Sequence, residues 1–545
     1  MSPSSTPSHA ASALPSENKP SPNHSSENQP RVGFLSSFVD RCNPMLVRVV
    51  RQELRNRAFI GIFMLLLAGG VIAAMVVAAI TNGKLSEQNG ENVSRGLFGC
   101  IAVGWCFALW LAQPMGCYRS ITTERGDDTW DLLELTGLRP AKVISGLMLA
   151  SLVQSALYTS VLAPFMVMAY LLRGIDLMAV IFTLIVIPLG SVAASALAVF
   201  TACLGNNKAS RATLGGILGL GLFACWASST GLWFNLNGLT YYFGSLRNGD
   251  VESWAITCAI LNLWFGGFAL LLVLSASLLS FRAANRSTGP RLMWWILWFN
   301  AWCWTLVPFV DLHSNFADWL ELQMVFAVFG VAAAGVLGLF STTEDLALSP
   351  RQARSITDAR GWWRRSAMLL LGPGAARGQL SWLAMGALSL LIGLAGWLAL
   401  DGKNSNLRET EVLFSAWTAF AWLAIIFFVE ELLYRGWIVA WFPTPGFRRA
   451  FTLLLLALWC ILVPLTLWII GGDSKHSGLY WLSPITSLIL INDGNQSGKN
   501  ADMYQAIFCA VGIAALIFQL RKGLRLKITT LRILARDKDH NPRGT

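Results

Sequence analysis

The chain has few charged residues, few histidines and no paired cysteines. Charged side chains make up 13% of its 545 residues, against roughly 25% in an ordinary soluble domain. None of its ten cysteines forms a CxxC pair, so neither a zinc site nor a disulfide framework is supported. No GxxxxGK[ST] loop occurs, which excludes the usual cradle for ATP phosphates. We therefore expect no cofactor, no metal and no catalytic activity of the chain's own.

Apolar residues dominate instead, at 54% of the chain. Several apolar runs reach the roughly 18 to 20 residues needed to cross a bilayer, for example RAFIGIFMLLLAGGVIAAMVVAAI from Arg57 to Ile80. Each such run must satisfy its backbone as a helix, because lipid offers no hydrogen-bond partners. The sequence predicts an all-α polytopic membrane protein, in which the net charge of +11 faces lipid headgroups rather than nucleic acid.

Apolar runs bounded by turn and charge signals define twelve predicted spans. Their approximate ranges are 58–81, 97–115, 144–171, 177–203, 212–234, 254–280, 292–310, 322–341, 379–400, 412–432, 450–471 and 502–520. The even-numbered connections hold more than twice as many Lys and Arg residues as the odd-numbered ones. The positive-inside rule then places both termini in the cytoplasm. We expect the chain in the inner or plasma membrane of the cell.

The same pattern divides the chain into segments. Residues 1–33 are polar and without an apolar core, so we expect a disordered tail and no cleavable signal peptide. The remaining predicted segments are an interfacial helix at 34–57, a six-span unit at 58–290, two spans at 291–341, a basic cytoplasmic linker at 342–378, a four-span unit at 379–520 and a basic tail at 521–545.

The segment just before the first span is predicted to be amphipathic. Apolar residues of NPMLVRVVRQELRNRAF share one helical face, whereas Arg48, Arg51 and Arg55 fall on the opposite face. Such a separation is typical of a helix lying in the headgroup plane. A merely basic flank of the first span is the alternative.

The connection between spans 2 and 3 predicts a short cytoplasmic helix. Asp127 or Asp128 can cap it, Asp131 favours its positive end, and Gly137 can end it before Pro140 opens the next helix. Its apolar contacts come from Trp130, Leu132, Leu133 and Leu135. An ordinary surface helix is the alternative to a functional one.

At these residues the sequence resembles the ABC-2-type exporter permeases. That family places an acidic and basic pair, then a short Thr- and Leu-rich helix, between its second and third spans. The matching residues here are Glu124, Arg125, Thr129, Leu132, Leu133, Thr136, Leu138, Pro140 and Gly146. The resemblance covers roughly half the chain, including the interfacial helix; Leu147 departs from it, since a Lys is expected there.

This resemblance implies a coupling helix that docks on a cytoplasmic ABC ATPase carried by a separate polypeptide. Trp130 would be the buried anchor of that interface, and charged residues at its rim would set the choice of partner. The implied docking residues are Glu124, Arg125, Asp128, Thr129, Trp130, Leu132 and Leu133. A second permease subunit, a second copy of the chain, or the chain's own C-terminal half would complete the transport route.

A rival motif lies at the end of span 10. VEELLYRG carries Glu430, Glu431 and Arg435 in the EExxxR pattern of CAAX-type intramembrane proteases. Those proteases also need histidines on neighbouring helices, whereas Phe309 and His313 precede the glutamates and belong to the opposite side of the predicted membrane. We therefore expect a charge cluster at a helix end, in which Arg435 pairs within its own helix; a non-catalytic scaffold is the third alternative.

Overall fold

A computed structural model gives the fold of part of the chain. The residues that it describes are 44–81, 87–126, 140–172, 175–205, 207–234, 237–249, 251–281, 284–305, 316–342, 344, 348, 352, 362–399, 407–435, 448–449, 451–454, 456–458, 507, 510–515, 517–518 and 521. These residues form helices and turns and contain no strand, which confirms the predicted all-α class.

The first part of the chain holds nine helices within its described ranges. They are α1 Pro44–Leu54, α2 Arg57–Thr81, α3 Glu87–Cys106, α4 Gln113–Gly126, α5 Pro140–Leu171, α6 Leu177–Leu204, α7 Lys208–Phe234, α8 Asn237–Arg247 and α9 Val251–Leu279. A π-helical turn, Phe107–Ala112, joins α3 to α4 without a break.

The second part of the chain follows the same all-helical plan within its described ranges. Its helices are α10 Thr288–Trp304, α11 Phe316–Thr342, α12 Trp362–Leu371, α13 Ala375–Ala399 and α14 Leu407–Arg435. Two of these fourteen helices lie where the sequence predicted connections: α8 falls in the loop between spans 5 and 6, and α12 falls in the basic linker.

Eight of the described helices are long and apolar enough to cross a membrane. They correspond to predicted spans 1 to 6, 8 and 9. For predicted span 7, the described helix α10 has only 17 residues; for span 10, α14 contributes the apolar stretch Ala416–Glu430. Predicted spans 11 and 12 lie mostly outside the described residues, so the count of twelve and the orientation of the termini stay predictions.

Three clusters of buried side chains hold the helices together. The first joins α2, α3, α5, α6 and the end of α7, with Phe98, Trp105 and Tyr158 almost fully buried. The second joins α1, α4, α5, α6, α7 and α9 around Ile121 and Val199. These two clusters form one N-terminal bundle, α1–α9. Its lower end is defined here as the end near Gly126, and it carries the residues singled out by sequence.

The third cluster forms a C-terminal bundle from α10, α11, α13 and α14. Trp382 lies at its centre and meets Phe420 and Phe427 edge-on. The two bundles meet where α9 packs on α10, and there Asn262 donates to Asn300 at 3.2 Å. Polar pairs of this kind join apolar helices in lipid, where the hydrophobic effect offers little help.

Candidate functional site

The interfacial helix predicted from the sequence is α1, and it packs against the N-terminal bundle. Val49 is buried, and Leu46 and Val50 lie beside it against the second core cluster. Arg48, Arg51 and Arg55 are exposed. The helix is therefore amphipathic as predicted, while its place in the headgroup plane stays a prediction.

The second span does not end where its apolar run ends. The helix continues through the π-helical turn and α4 as far as Gly126, about ten residues beyond the predicted boundary. Because the chain remains helical, Arg119, Glu124 and Arg125 are held on a rod that reaches into the core of the bundle. The sequence had placed these three residues in a connecting segment.

Glu124 faces α1 from the last turn of that rod. Its carboxylate lies 3.6 Å from the guanidinium of Arg48, with side-chain exposures of 16% for the glutamate and 55% for the arginine. This ion pair joins α1 to α4. Because Arg48 is largely in solvent, the pair orients the two helices more than it stabilises them.

Arg125 points the other way, into the turn between α6 and α7. Its Nη1 donates to three carbonyls at the C-terminal end of α6: Ala202 at 3.1 Å, Cys203 at 2.9 Å and Gly205 at 3.3 Å. The last carbonyls of a helix have no partner within it, and a cation at that end is favoured by the helix dipole. Arg125 therefore caps α6 from α4.

Arg211 makes the reciprocal connection from the start of α7. Its guanidinium donates to the carbonyls of Thr122 at 3.1 Å and Arg125 at 3.5 Å on α4. The Tyr118 hydroxyl donates to the Arg211 carbonyl at 2.5 Å. Two arginines and a tyrosine thus fasten the end of α4 to the α6–α7 turn.

A polar chain deeper in the bundle fastens the same rod a second time. Gln113 donates to the Ser151 carbonyl of α5 at 2.7 Å and accepts from the Ser155 hydroxyl at 3.2 Å. Ser155 in turn lies 2.5 Å from Ser191 of α6. All four side chains are buried, so α4 cannot slide past α5 or α6 without leaving polar groups unpaired.

The predicted coupling helix itself falls in 127–139, outside the described residues. Asp128, Thr129, Trp130, Leu132 and Leu133 therefore stay predictions as docking residues. Of the predicted set, the structure brings Glu124 together with Arg48 at the end of α4, and it commits the guanidinium of Arg125 to internal carbonyls on the other side. Pro140 opens α5 as expected, and both Gly146 and Leu147 are buried in that helix.

A cavity of about 620 Å³ lies between α1, the start of α2 and the rod. Its polar lining lies on α1, on a residue between α1 and α2, and near the C-terminal end of α4, and consists of Arg48, Gln52, Asn56, Arg119, Ser120, Thr123 and Glu124. Its apolar lining lies on α2 and deeper on the rod, and includes Ile62, Phe107, Leu111, Ala112 and Met115. The cavity lies in the size range of small-molecule pockets.

The C-terminal bundle contains a buried ion pair that the sequence did not predict. Arg291 is 3% exposed and lies 2.8 Å from the carboxylate of Glu344. The same guanidinium donates to the carbonyls of Gly372 and, at 3.3 Å, Gly374, while Glu344 accepts from the Gly374 N–H at 3.1 Å. Gly374 has a φ of +103°, a conformation that favours glycine. This network closes the turn between α12 and α13.

Glu430 of the rival motif lies in the same bundle and is only 4% exposed. Its carboxylate accepts from the Thr342 hydroxyl at 3.2 Å and from Thr452. These partners belong to other helical segments, so Glu430 joins α14 to its neighbours, while the expected intrahelical pair with Arg435 stays a prediction. The side chains of Glu431 and Arg435, and both Phe309 and His313, lie outside the described residues.

A second arginine of the C-terminal bundle packs against Phe340, near the carboxylate of Glu344. The guanidinium of Arg449 lies 5.1 Å from the ring of Phe340 and donates to the Phe340 carbonyl at 3.3 Å. Burial lowers the pKa of Arg449, and the nearby carboxylate of Glu344 opposes that change. No group of three or more metal-ligating side chains occurs among the described residues, and the acids here are held by arginines and hydroxyls.

Sequence reasoning missed Arg211 and Arg291 because both sit at the first turn of an apolar helix. There a basic residue looks like an ordinary topology signal. For Arg211 the end of α6 a few residues earlier was the available clue, since unpaired carbonyls need donors and Arg211 donates to the Gly205 carbonyl. Arg291 offered no such clue, because its acceptors lie in the turn between α12 and α13. Comparisons of the chain with protein-family models, with curated proteins and with solved structures found no match.

Proposed function

We propose that this chain is the membrane-spanning permease subunit of an ABC-type exporter, driven by a cytoplasmic ATPase on another polypeptide. The observation that carries the proposal is the unbroken rod from Glu87 to Gly126, fastened at its lower end by Arg125 and Arg211. A subunit that is moved by an external ATPase needs such an element, because a push on its end must displace several spans together.

The route of that push follows the hydrogen bonds. A load applied to 127–139 reaches Gly126 first, then α6 and α7 through Arg125 and Arg211, and α1 through Glu124. The buried pairs of Gln113 and Ser155 carry the same displacement into α5. Because packed interiors transmit strain rather than absorb it, α4, α5, α6 and α7 would tilt as one body and open a route for substrate.

The proposed partners are an ABC ATPase on the cytoplasmic side and a second permease unit, in the cell membrane. The unit could be another subunit or a second copy of this chain. In this proposal the chain binds no nucleotide and performs no chemistry, and the apolar lining of its helices is compatible with an amphipathic substrate.

Co-purification from native membranes tests the proposal. The full chain, captured in mild detergent, should bring down an ABC ATPase, and both Trp130→Ala and Glu124→Lys should abolish that association while leaving insertion intact. Trp362→Ala is the matched control, since Trp362 is 69% exposed and lies in the predicted cytoplasmic linker. Failure of any ATPase to co-purify, or its retention by both variants, would contradict the proposal.

Arg125 is a poor choice for the docking test. Its replacement removes three internal hydrogen bonds, so a lost association could reflect a displaced α6 rather than a lost contact. Membrane-impermeant labelling of a Trp130→Cys variant, compared with the parent chain, supplies the missing topological check. Labelling from outside the cell would place the segment out of reach of any cytoplasmic ATPase.

A further inference from the structure

The cavity beside the rod changes from polar to apolar along its length. Its lower end is lined by Arg119, Ser120 and Thr123 on α4 and by Arg48 on α1, whereas residues from Met115 upward to Phe107 present apolar surface. Both ends belong to one continuous helix. A ligand that fills this cavity must therefore be polar at one end and apolar at the other.

The dimensions of the apolar part match one leaflet of a bilayer. Twelve residues separate Arg119 from Phe107, which at 1.5 Å per residue is about 18 Å. Half of a hydrocarbon core measures about 15 Å. An acyl chain whose headgroup rests at Arg119 would thus run along Met115, Leu111 and Phe107 to about the middle of the membrane.

The charges at the lower end favour an anion. Arg48 and Arg119 both line the cavity, against the single carboxylate of Glu124. Arg48 forms an ion pair with Glu124 at 3.6 Å. Arg119, in contrast, is exposed, and none of the described residues accepts a hydrogen bond from its guanidinium. Ser120 and Thr123 add hydroxyl donors on the same face of α4. Arginine is well suited to phosphate because its donors form a planar fork.

The neighbouring surface is apolar and exposed, as expected of a surface that faces lipid. α2 exposes Ile60, Met64 and Leu65 by 46% to 69%, and only 17% of its most apolar window is buried inside the protein. The π-helical turn lies at the upper end of the cavity, where Phe107, Leu111 and Ala112 line it. Such turns recur at functional sites, because the wider winding re-aims side chains.

We infer that the cavity between α1, α2 and the rod is a binding site for one anionic phospholipid, with its phosphate at Arg119 and Arg48 and an acyl chain along Met115, Leu111 and Phe107. The site shares Glu124 with the proposed docking residues, but it lies between α1, α2 and the rod and needs no ATPase. A bound lipid would fill the space between α1 and α4, and it would stabilise the same rod that the ATPase is proposed to move.

Gly116 offers a way to block the site without damaging the fold. It lines the cavity, and a Cβ added there meets no atom within 4 Å. Leucine forms helices better than glycine, so Gly116→Leu should fold and fill the cavity. Gly104→Leu is the matched control, because Gly104 has equally open surroundings on the same rod and does not line the cavity.

Native mass spectrometry of the full chain, purified in mild detergent, measures lipid retention. We expect one retained anionic phospholipid, and a drop in its occupancy of about tenfold in Arg119→Gln, as for the loss of a charge-assisted hydrogen bond. Gly116→Leu should lose it as well. Gly104→Leu and Arg51→Gln should retain it, since neither residue lines the cavity. Retention in both test variants, or an equal loss in the controls, would overturn the site.

Add-back to delipidated protein separates the possible sources of the phosphate. Phosphatidylglycerol vesicles should raise the thermal midpoint of the parent chain but not of Gly116→Leu, whereas phosphatidylcholine vesicles and inorganic phosphate should leave it unchanged. An equal rise with phosphatidylcholine would remove the requirement for an anion. An equal rise with inorganic phosphate would show that the acyl chain contributes nothing, and either result contradicts the proposal.

Discussion

The N-terminal and C-terminal bundles contain the same kind of arginine contact with different degrees of burial. In each, an arginine on one helix donates to carbonyls where another helix ends: Arg125 at the end of α6, and Arg291 at the end of α12. Cations in this position satisfy carbonyls that the helix cannot pair itself. The chain thus joins its helix ends through side chains rather than through long loops.

The surroundings of the two arginines differ. Arg291 is 3% exposed and touches its counter-charge, Glu344, directly. Arg125 is only part-buried, and its neighbour Glu124 faces a cavity and an exposed arginine instead. The C-terminal network is therefore closed, whereas the N-terminal network borders open space. This difference teaches that charged groups of the first bundle remain accessible to a partner or ligand, whereas the arginine of the second is satisfied within its own bundle.

The largest expected effect is the loss of Arg291. Arg291→Met should lower the free energy of unfolding by about 3 kcal/mol, because it leaves the Glu344 carboxylate, which is only 21% exposed, without its ion-pair partner. Equilibrium unfolding of the full chain in mixed micelles measures the change. Arg291→Met with Glu344→Leu should be less destabilised than Arg291→Met alone, since no unpaired charge remains. Equal losses in the single and double variants would break the description of this network as a closed ion pair.

Arg125→Gln should cost less, about 1.5 to 3 kcal/mol, as expected for hydrogen bonds made by a charged group at a helix end. Its distinctive effect should be local: amide hydrogens in the last turn of α6 should exchange faster than in the parent chain, while those of α13 should not change. Hydrogen exchange followed by mass spectrometry makes this comparison. Uniform destabilisation of both bundles would mean that Arg125 does not act on α6.

Much of the helical architecture follows from the sequence. Apolar length alone predicted eight helices that the structure bears out as able to span a membrane, because each must close its own hydrogen bonds in lipid. The amphipathic character of α1 was equally predictable, since its apolar residues, such as Val49, and its arginines, such as Arg48, recur with the helical period. These features depend only on neighbouring residues.

The joints between helices were not readable in this way. A pattern within one helix could not show that Arg125 meets Ala202 or that Arg291 meets Glu344, because those partners are separated by tens of residues in the chain. The predicted end of the helix that contains the second span was also wrong, since Arg119 and Glu124 look like loop residues by composition. They remain helical because Tyr118 and Arg125 tie them to the α6–α7 turn.

Glu430→Gln should be a milder change in the C-terminal bundle, with a loss of no more than about 1 kcal/mol, because an amide oxygen still accepts from Thr342 and Thr452. The variant keeps the shape of the side chain and removes its charge. Complementation of a strain from which the gene for this chain has been deleted, scored beside the unfolding measurement, should show normal function. Normal folding with lost function would mean that Glu430 has a role beyond packing, and would favour the protease interpretation again.

The smallest effect on stability should come from Glu124→Gln in the N-terminal bundle. The ion pair with Arg48 is largely exposed on the arginine side, and such pairs contribute about 0 to 1 kcal/mol. If the network at the end of α4 is open to a partner, the same change should weaken ATPase co-purification although the unfolding midpoint hardly moves. Arg51→Gln, which changes an exposed residue of α1 near Arg48, should change neither quantity. Glu124→Gln would then alter association without altering stability, as expected for a network that is open to a partner. Arg291→Met should instead reduce stability, as expected for a network that is closed within its own bundle.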